Sequence, residues 1–139
     1  MNKVRAILRS ERGDITSLSV TIGILVALML LIVLIEAFGY GRTHNKLQLA
    51  SNDTLDLMKA QNGFDAKLRS QFYDFAELQG LERSKVTVNA TTGPVQRGQI
   101  VEIHAKTQYT FVALRPLGQE ITMDVNVSLS GLASTFLRN

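Results

Sequence analysis

The side chains able to do chemistry are few and widely spaced. The 139 residues include no cysteine and two histidines, His44 and His104. Without thiols there are no disulfides, no thiol nucleophile and no thiolate metal site. Two histidines so far apart in the chain make a poor start for a zinc site. His104 alternates with Glu102 and Lys106 in a strand-like run, and a period of two projects all three to one side. A metal site or an acid–base pair needs more convergent partners than these, so the trio reads as a solvated pattern of charges. No Ser-His-Asp order, phosphate loop or carboxylate pair stands beside it. Neither catalysis nor a cofactor is expected. Asn52-Asp53-Thr54, Asn89-Ala90-Thr91 and Asn126-Val127-Ser128 fit the glycosylation sequon, a pattern short enough to arise by chance.

The more informative chemistry is that of a boundary. The twenty-one residues from Ile15 to Ile35 carry no charge, and Glu36 ends the run. As a helix rising ~1.5 Å per residue they would be about 31 Å long, which matches a hydrocarbon core of ~30 Å. Glu36 has two readings. A carboxylate at the edge of an apolar helix can pair with a neighbouring subunit's amino terminus or arginine and fix register; it can also simply mark where the helix meets the headgroups. Within the run, Ile22, Leu25, Leu28, Met29 and Ile32 form a stripe suited to helix packing, and Ser17, Ser19, Thr21 and Gly23 give a small, hydroxylated side that allows close approach.

The charge balance supports the same picture. Of fifteen basic residues, Lys3, Arg5, Arg9 and Arg12 lie before Asp14, with Glu11 the one acid among them; the rest of the chain holds eleven of each sign. The basic character belongs to the leader, so nothing points to nucleic acid, which would want a basic stripe on the folded part. Cationic flanks stay on the cytoplasmic side, which predicts an amino terminus inside and a carboxy-terminal domain outside.

Four parts are therefore expected: a basic leader at 1–14, a transmembrane helix at 15–36, an amphipathic stalk helix at 37–63 and an α+β domain at 64–139. The anchor and stalk read as one long helix from about Ile15 to about Gln61. Leu47, Ala50, Thr54, Leu55 and Met58 recur at helical spacing, Asn62-Gly63 reads as the C-cap, and Gly39 and Gly41 mark a soft point. Asp65 caps a second helix over 66–79, with Leu68, Phe72, Phe75, Ala76 and Leu78 on its apolar side and Gly80 closing it. The period then changes to two. Val86 to Thr92, Val101 to Ala113 and Ile121 to Leu129 alternate as three strands joined by turns at Gly93–Gly98 and Arg115–Gly118. This is an α+β fold: a long N-terminal transmembrane-plus-stalk helix, a short second helix and a three-stranded antiparallel meander whose dry face the helices cover.

Glu11-Arg12-Gly13 ahead of the apolar run, and Glu36-Ala37-Phe38-Gly39 with Arg42 after it, resemble the corresponding segments of TadE-like pseudopilins and, more broadly, type IV pilins. The resemblance covers about the first 60 residues. It implies a membrane-anchored surface protein of Gram-positive bacteria in a pilus, secretion or conjugation cluster, held in the cytoplasmic membrane or assembled into an extracellular filament. It also implies a prepilin peptidase as a partner, cutting between Gly13 and Asp14. Such a cut would place Leu18 at the fifth mature position, where pilins carry Glu. Gly13 is equally a helix-start residue, and Ala37-Phe38-Gly39 offers a rival small-x-small cleavage site.

The sequence thus predicts a non-enzymatic pilin-like structural or assembly subunit, associating with itself or with similar subunits through the apolar stripe. The competing reading is an unprocessed bitopic protein whose exposed sheet binds a partner, by strand addition at an open edge. A soluble domain released after Gly39 is the third.

Overall fold

The computed structural model describes residues 2–113, 115 and 118–134, the first fifteen of these by their backbone alone. Its elements are α1 (Asn2–Gln61), α2 (Ala66–Leu78), a 3-10 turn (Arg83–Lys85), β1 (Thr87–Ala90), β2 (Ile100–Thr110) and β3 (Thr122–Leu132). The α+β layout expected from the sequence is present: a long apolar amino-terminal helix, a short second helix and a three-stranded antiparallel sheet in the order β1-β2-β3. The helix begins earlier than the apolar run, because its backbone is already helical through the leader.

The chain divides into two compact units, residues 1–37 and 38–139. In the second unit, one face of α1 lines the core. Leu47, Ala50, Ser51, Thr54, Leu55 and Met58 are all buried, which is the stripe that the spacing predicts, plus Ser51. The two hydroxyls inside this stripe are satisfied locally: Ser51 Oγ donates to the Leu47 carbonyl at 2.8 Å and Thr54 Oγ1 to the Ala50 carbonyl at 2.9 Å. Bonding back four residues is how a helix buries Ser or Thr without an orphaned donor.

The helix ends as its sequence requires. Asn62 takes the left-handed conformation at φ 61°, and the Gly63 N–H donates to the Met58 carbonyl at 3.2 Å. This is the six-to-one bond of a glycine-type cap. Asp65 caps α2, its Oδ1 accepting from the Leu68 N–H at 2.7 Å. At the other end of α2, Gly80 at φ 77° lets the Leu81 N–H reach the Ala76 carbonyl at 2.9 Å.

Leu68, Phe72 and Ala76 of α2 are buried, while Leu78 is exposed. Leu78 does not belong to the apolar side assigned to it: two residues past Ala76 is about 200° round a helix with ~3.6 residues per turn. In the sheet, Val101, Ile103, Ala105 and Thr107 of β2 and Val125 and Val127 of β3 face the helices. Strand β2 ends at Thr110, short of the expected Ala113, and β3 continues past Leu129 to Leu132. Directly opposed pairs include Tyr109 with Met123, Ala105 with Val127 and Ile100 with Leu132.

Candidate functional site

In the first unit the side chains from Leu18 to Ile35 stand exposed on every side. Ile22, Leu25, Leu28, Met29 and Ile32 are 39–61% exposed, and Ile24, Leu30, Val33 and Leu34 around them are equally bare. A helix that is apolar all round finds its solvent in lipid or in other helices. Among the described residues it is the one helix long and apolar enough to cross a membrane. One of its hydroxyls is satisfied within the helix: Thr21 Oγ1 donates to the Ser17 carbonyl at 2.9 Å. Gly23 has nothing near the position of a Cβ, so that side is open to close approach. Of Gly13 and Asp14 the backbone alone is described, and it is helical.

Glu36 behaves differently from its neighbours. It is 6% exposed beside an Ile35 that is 58% exposed, and it is engaged within the chain. Neither sequence reading foresaw a covered carboxylate. Burial of a charge is costly unless it is paired or hydrogen-bonded, and Glu36 is not left without a partner.

In the second unit, the opening turn of the α1 segment meets the far end of β2. Tyr40 and Tyr109 pack edge to face at 6.2 Å and 88°, and Tyr109 packs on Phe111 at 5.6 Å and 71°. A Cβ at Gly39 would run into the Tyr109 hydroxyl. Gly39, read from the sequence as a soft point, is instead where the helix makes room for an aromatic ring. Gly41 has no such neighbour, and α1 runs through both. The sequence carried one signal for this: a glycine and a tyrosine side by side at a helix start, with a tyrosine and a phenylalanine ending the longest strand.

The outward face of the sheet gathers the titratable residues. His104 Nδ1 and Ser128 Oγ share a hydrogen bond at 2.9 Å, and His104 Nε2 lies 3.6 Å from Glu102 Oε2. Lys106 Nζ is 2.7 Å from Asp124 Oδ2 on the neighbouring strand. Ser128 was missed by sequence reasoning, because only the register places it opposite His104. Serine, histidine and glutamate in that order are the parts of a nucleophile, base and orienting acid. Their setting is an open one. His104 and Glu102 are more than half exposed, and the nearby hollow, about 350 Å³, is an open depression lined by strand residues such as Asn89, Lys106 and Asn126. The backbone N–H groups of the central strand β2, which carries His104 and Glu102, are paired within the ladder on both sides. No group of three His, Asp or Glu among the described residues is placed to hold a metal.

Among known proteins, one family model matches residues 24–138; its description is Domain of unknown function (DUF4320). No curated protein and no solved structure matches the chain.

Proposed function

Since the chain belongs to the DUF4320 family, whose description names no activity, we propose its role from its geometry: a membrane-anchored, pilin-like structural or assembly subunit. The observation that carries this reading is the apolar helix from Leu18 to Ile35, every side of which is exposed in a chain that otherwise builds a proper core. None of the described residues covers that helix, which lipid or other copies would do. Packing through Ile22, Leu25, Leu28, Met29 and Ile32 would bury it between subunits. Identical copies stacked by a repeated, non-closing contact make a filament. Glu36, at the end of the apolar run, would set the register between neighbouring subunits. The amino terminus would lie in the cytoplasm and the sheet domain outside.

The test is the intact mass and amino-terminal sequence of the protein from its native cells. A chain beginning at Asp14 supports pilin-type maturation, with Gly13 as the last residue removed. A chain retaining Met1 or Asn2 overturns maturation and leaves a permanent bitopic protein. One observation favours that second reading enough to keep it: β3 is an eleven-residue edge strand, and its outer side could accept a strand from a partner.

A further inference from the structure

The second unit has an apolar tip at the end where the chain enters it. Val112 is 60% exposed, Ile121 46% and Met123 47%, with the half-buried rings of Tyr109 and Phe111 between them. Met123 and Ile121 share the parity of the buried Val125 and Val127, so they continue the dry face beyond the point where the helices cover it. Such a patch on a soluble surface needs an explanation.

Its location follows from two rulers within this unit. At one end of the sheet, Gly131 lies against the Lys59 stem, and the Ser134 N–H donates to the Lys59 carbonyl at 3.1 Å. At the other end Tyr109, paired with Met123, lies against Gly39. The helix from 39 to 59 spans about 30 Å at ~1.5 Å per residue. The strand from 123 to 131 spans about 27 Å at ~3.4 Å per residue. The lengths agree, so β3 runs beside α1 in the same direction. Going back from Met123 to Ile121 adds about 7 Å, which carries the tip past Gly39. The segments after β2 and before β3 both reach there, since the Phe111 N–H donates to the Ile121 carbonyl at 2.9 Å. Ile35, the last residue of the apolar run, is four residues before Gly39, or about 6 Å of helix.

We propose that this tip, formed by Phe111, Val112, Ile121 and Met123 with Tyr109 behind them, rests in the headgroup–acyl boundary of the bilayer, as a second membrane contact in addition to the anchor. The proposal rests on the reading of residues 15–35 as a membrane span. The tether commits the occupant to lipid: the tip adjoins the Tyr109–Gly39 contact, and Gly39 follows the apolar run by four residues, so the tip meets the interface as an intramolecular event, ahead of any partner that must diffuse to it. The chemistry fits: exposed Arg115, 3.7 Å from Glu120, has the long stem that reaches phosphate from an apolar surface.

The chain has no tryptophan, so single-tryptophan variants of the full-length protein report on one place each. Val112→Trp and Ile121→Trp probe the tip at two exposed positions, so that a folding defect in one leaves the other. Leu28→Trp probes the anchor, and Ile100→Trp the opposite end of the sheet, about 33 Å along β2 from Thr110. Each is reconstituted into phosphatidylcholine vesicles with and without brominated acyl chains. The expected result is a blue shift and bromine quenching at Leu28→Trp and at both tip variants, with neither at Ile100→Trp. Quenching at Leu28→Trp with an unquenched, red-emitting tip overturns the tip contact and leaves the anchor in place. A tip that is blue-shifted, unquenched and reddened by dilution into excess lipid is covered by a second copy, which also overturns it. An unquenched Leu28→Trp overturns the membrane span itself, and the tip contact with it.

Discussion

At the residue scale, backbone shape matters more here than reactive groups. Gly63 sits at φ 138°, and a Cβ there would meet the Gly93 carbonyl oxygen, a backbone atom that cannot swing aside. The same turn is pinned by the Phe64 N–H to the Thr91 carbonyl at 3.0 Å and the Val95 N–H to the Asn62 carbonyl at 2.9 Å. Gly63→Ala should therefore cost about 1–3 kcal/mol from conformation alone, with the collision added, measured as a lower unfolding midpoint in urea. Asp65→Ala should cost about 1 kcal/mol by removing the α2 cap. The exposed charges behave oppositely. Lys106→Ala breaks a 2.7 Å ion pair between half-exposed groups, yet stability should change by less than about 0.5 kcal/mol. The same holds for His104→Ala, a loss of the Ser128 bond at an exposed site. A large loss at either position would mean that the sheet face carries a structural network rather than solvated charges.

At the scale of the element, α2 shows how a face is chosen. Phe72 is fully buried and contacts Tyr73 edge to face at 5.7 Å, whereas Leu78 is 80% exposed. Phe72→Ala should cost about 3–5 kcal/mol and Leu78→Ala almost nothing, a contrast that equilibrium unfolding of the two variants would show. Helix α1 uses two rules in turn. Its first part is apolar on all sides; its second is apolar on one stripe, whose buried hydroxyls bond back to carbonyls at 47 and 50. The stripe was legible because 3.6-residue spacing is a local property. The role of Gly39 was not, because a glycine that loosens a helix and a glycine that admits a ring look identical until the ring is in place.

At the scale of the whole molecule, the absence of cysteine makes association measurable. Leu25→Cys or Met29→Cys, in an otherwise cysteine-free chain, should give disulfide-linked dimers on oxidation in native membranes if the anchor packs against copies of itself. Gln99→Cys, on an exposed turn of the sheet domain, is the comparison. Equal, low yields at all three positions would speak for an anchor that stays alone in lipid. A single Leu28→Arg change places a charge in mid-run at a cost of about 2.5–3.5 kcal/mol for insertion. It should move part of the protein from the carbonate-resistant membrane fraction to the soluble one.

The sequence by itself determined what short-range physics can encode. The uncharged run, the period change from helix to strand, the caps at Asn62-Gly63, Asp65 and Gly80 and the meander order all depend on neighbours within a few residues. Only the tertiary structure decided which groups meet across long separations. It set Ser128 opposite His104, Tyr109 over Gly39 and Lys59 beside Gly131, and it left Ile121 and Met123 uncovered at the end of a face that alternation marks as dry. Strand register and the length of helix available to cover a sheet are properties of the assembled core. No local pattern carries them, because the energy that fixes them comes from surfaces that touch only after folding.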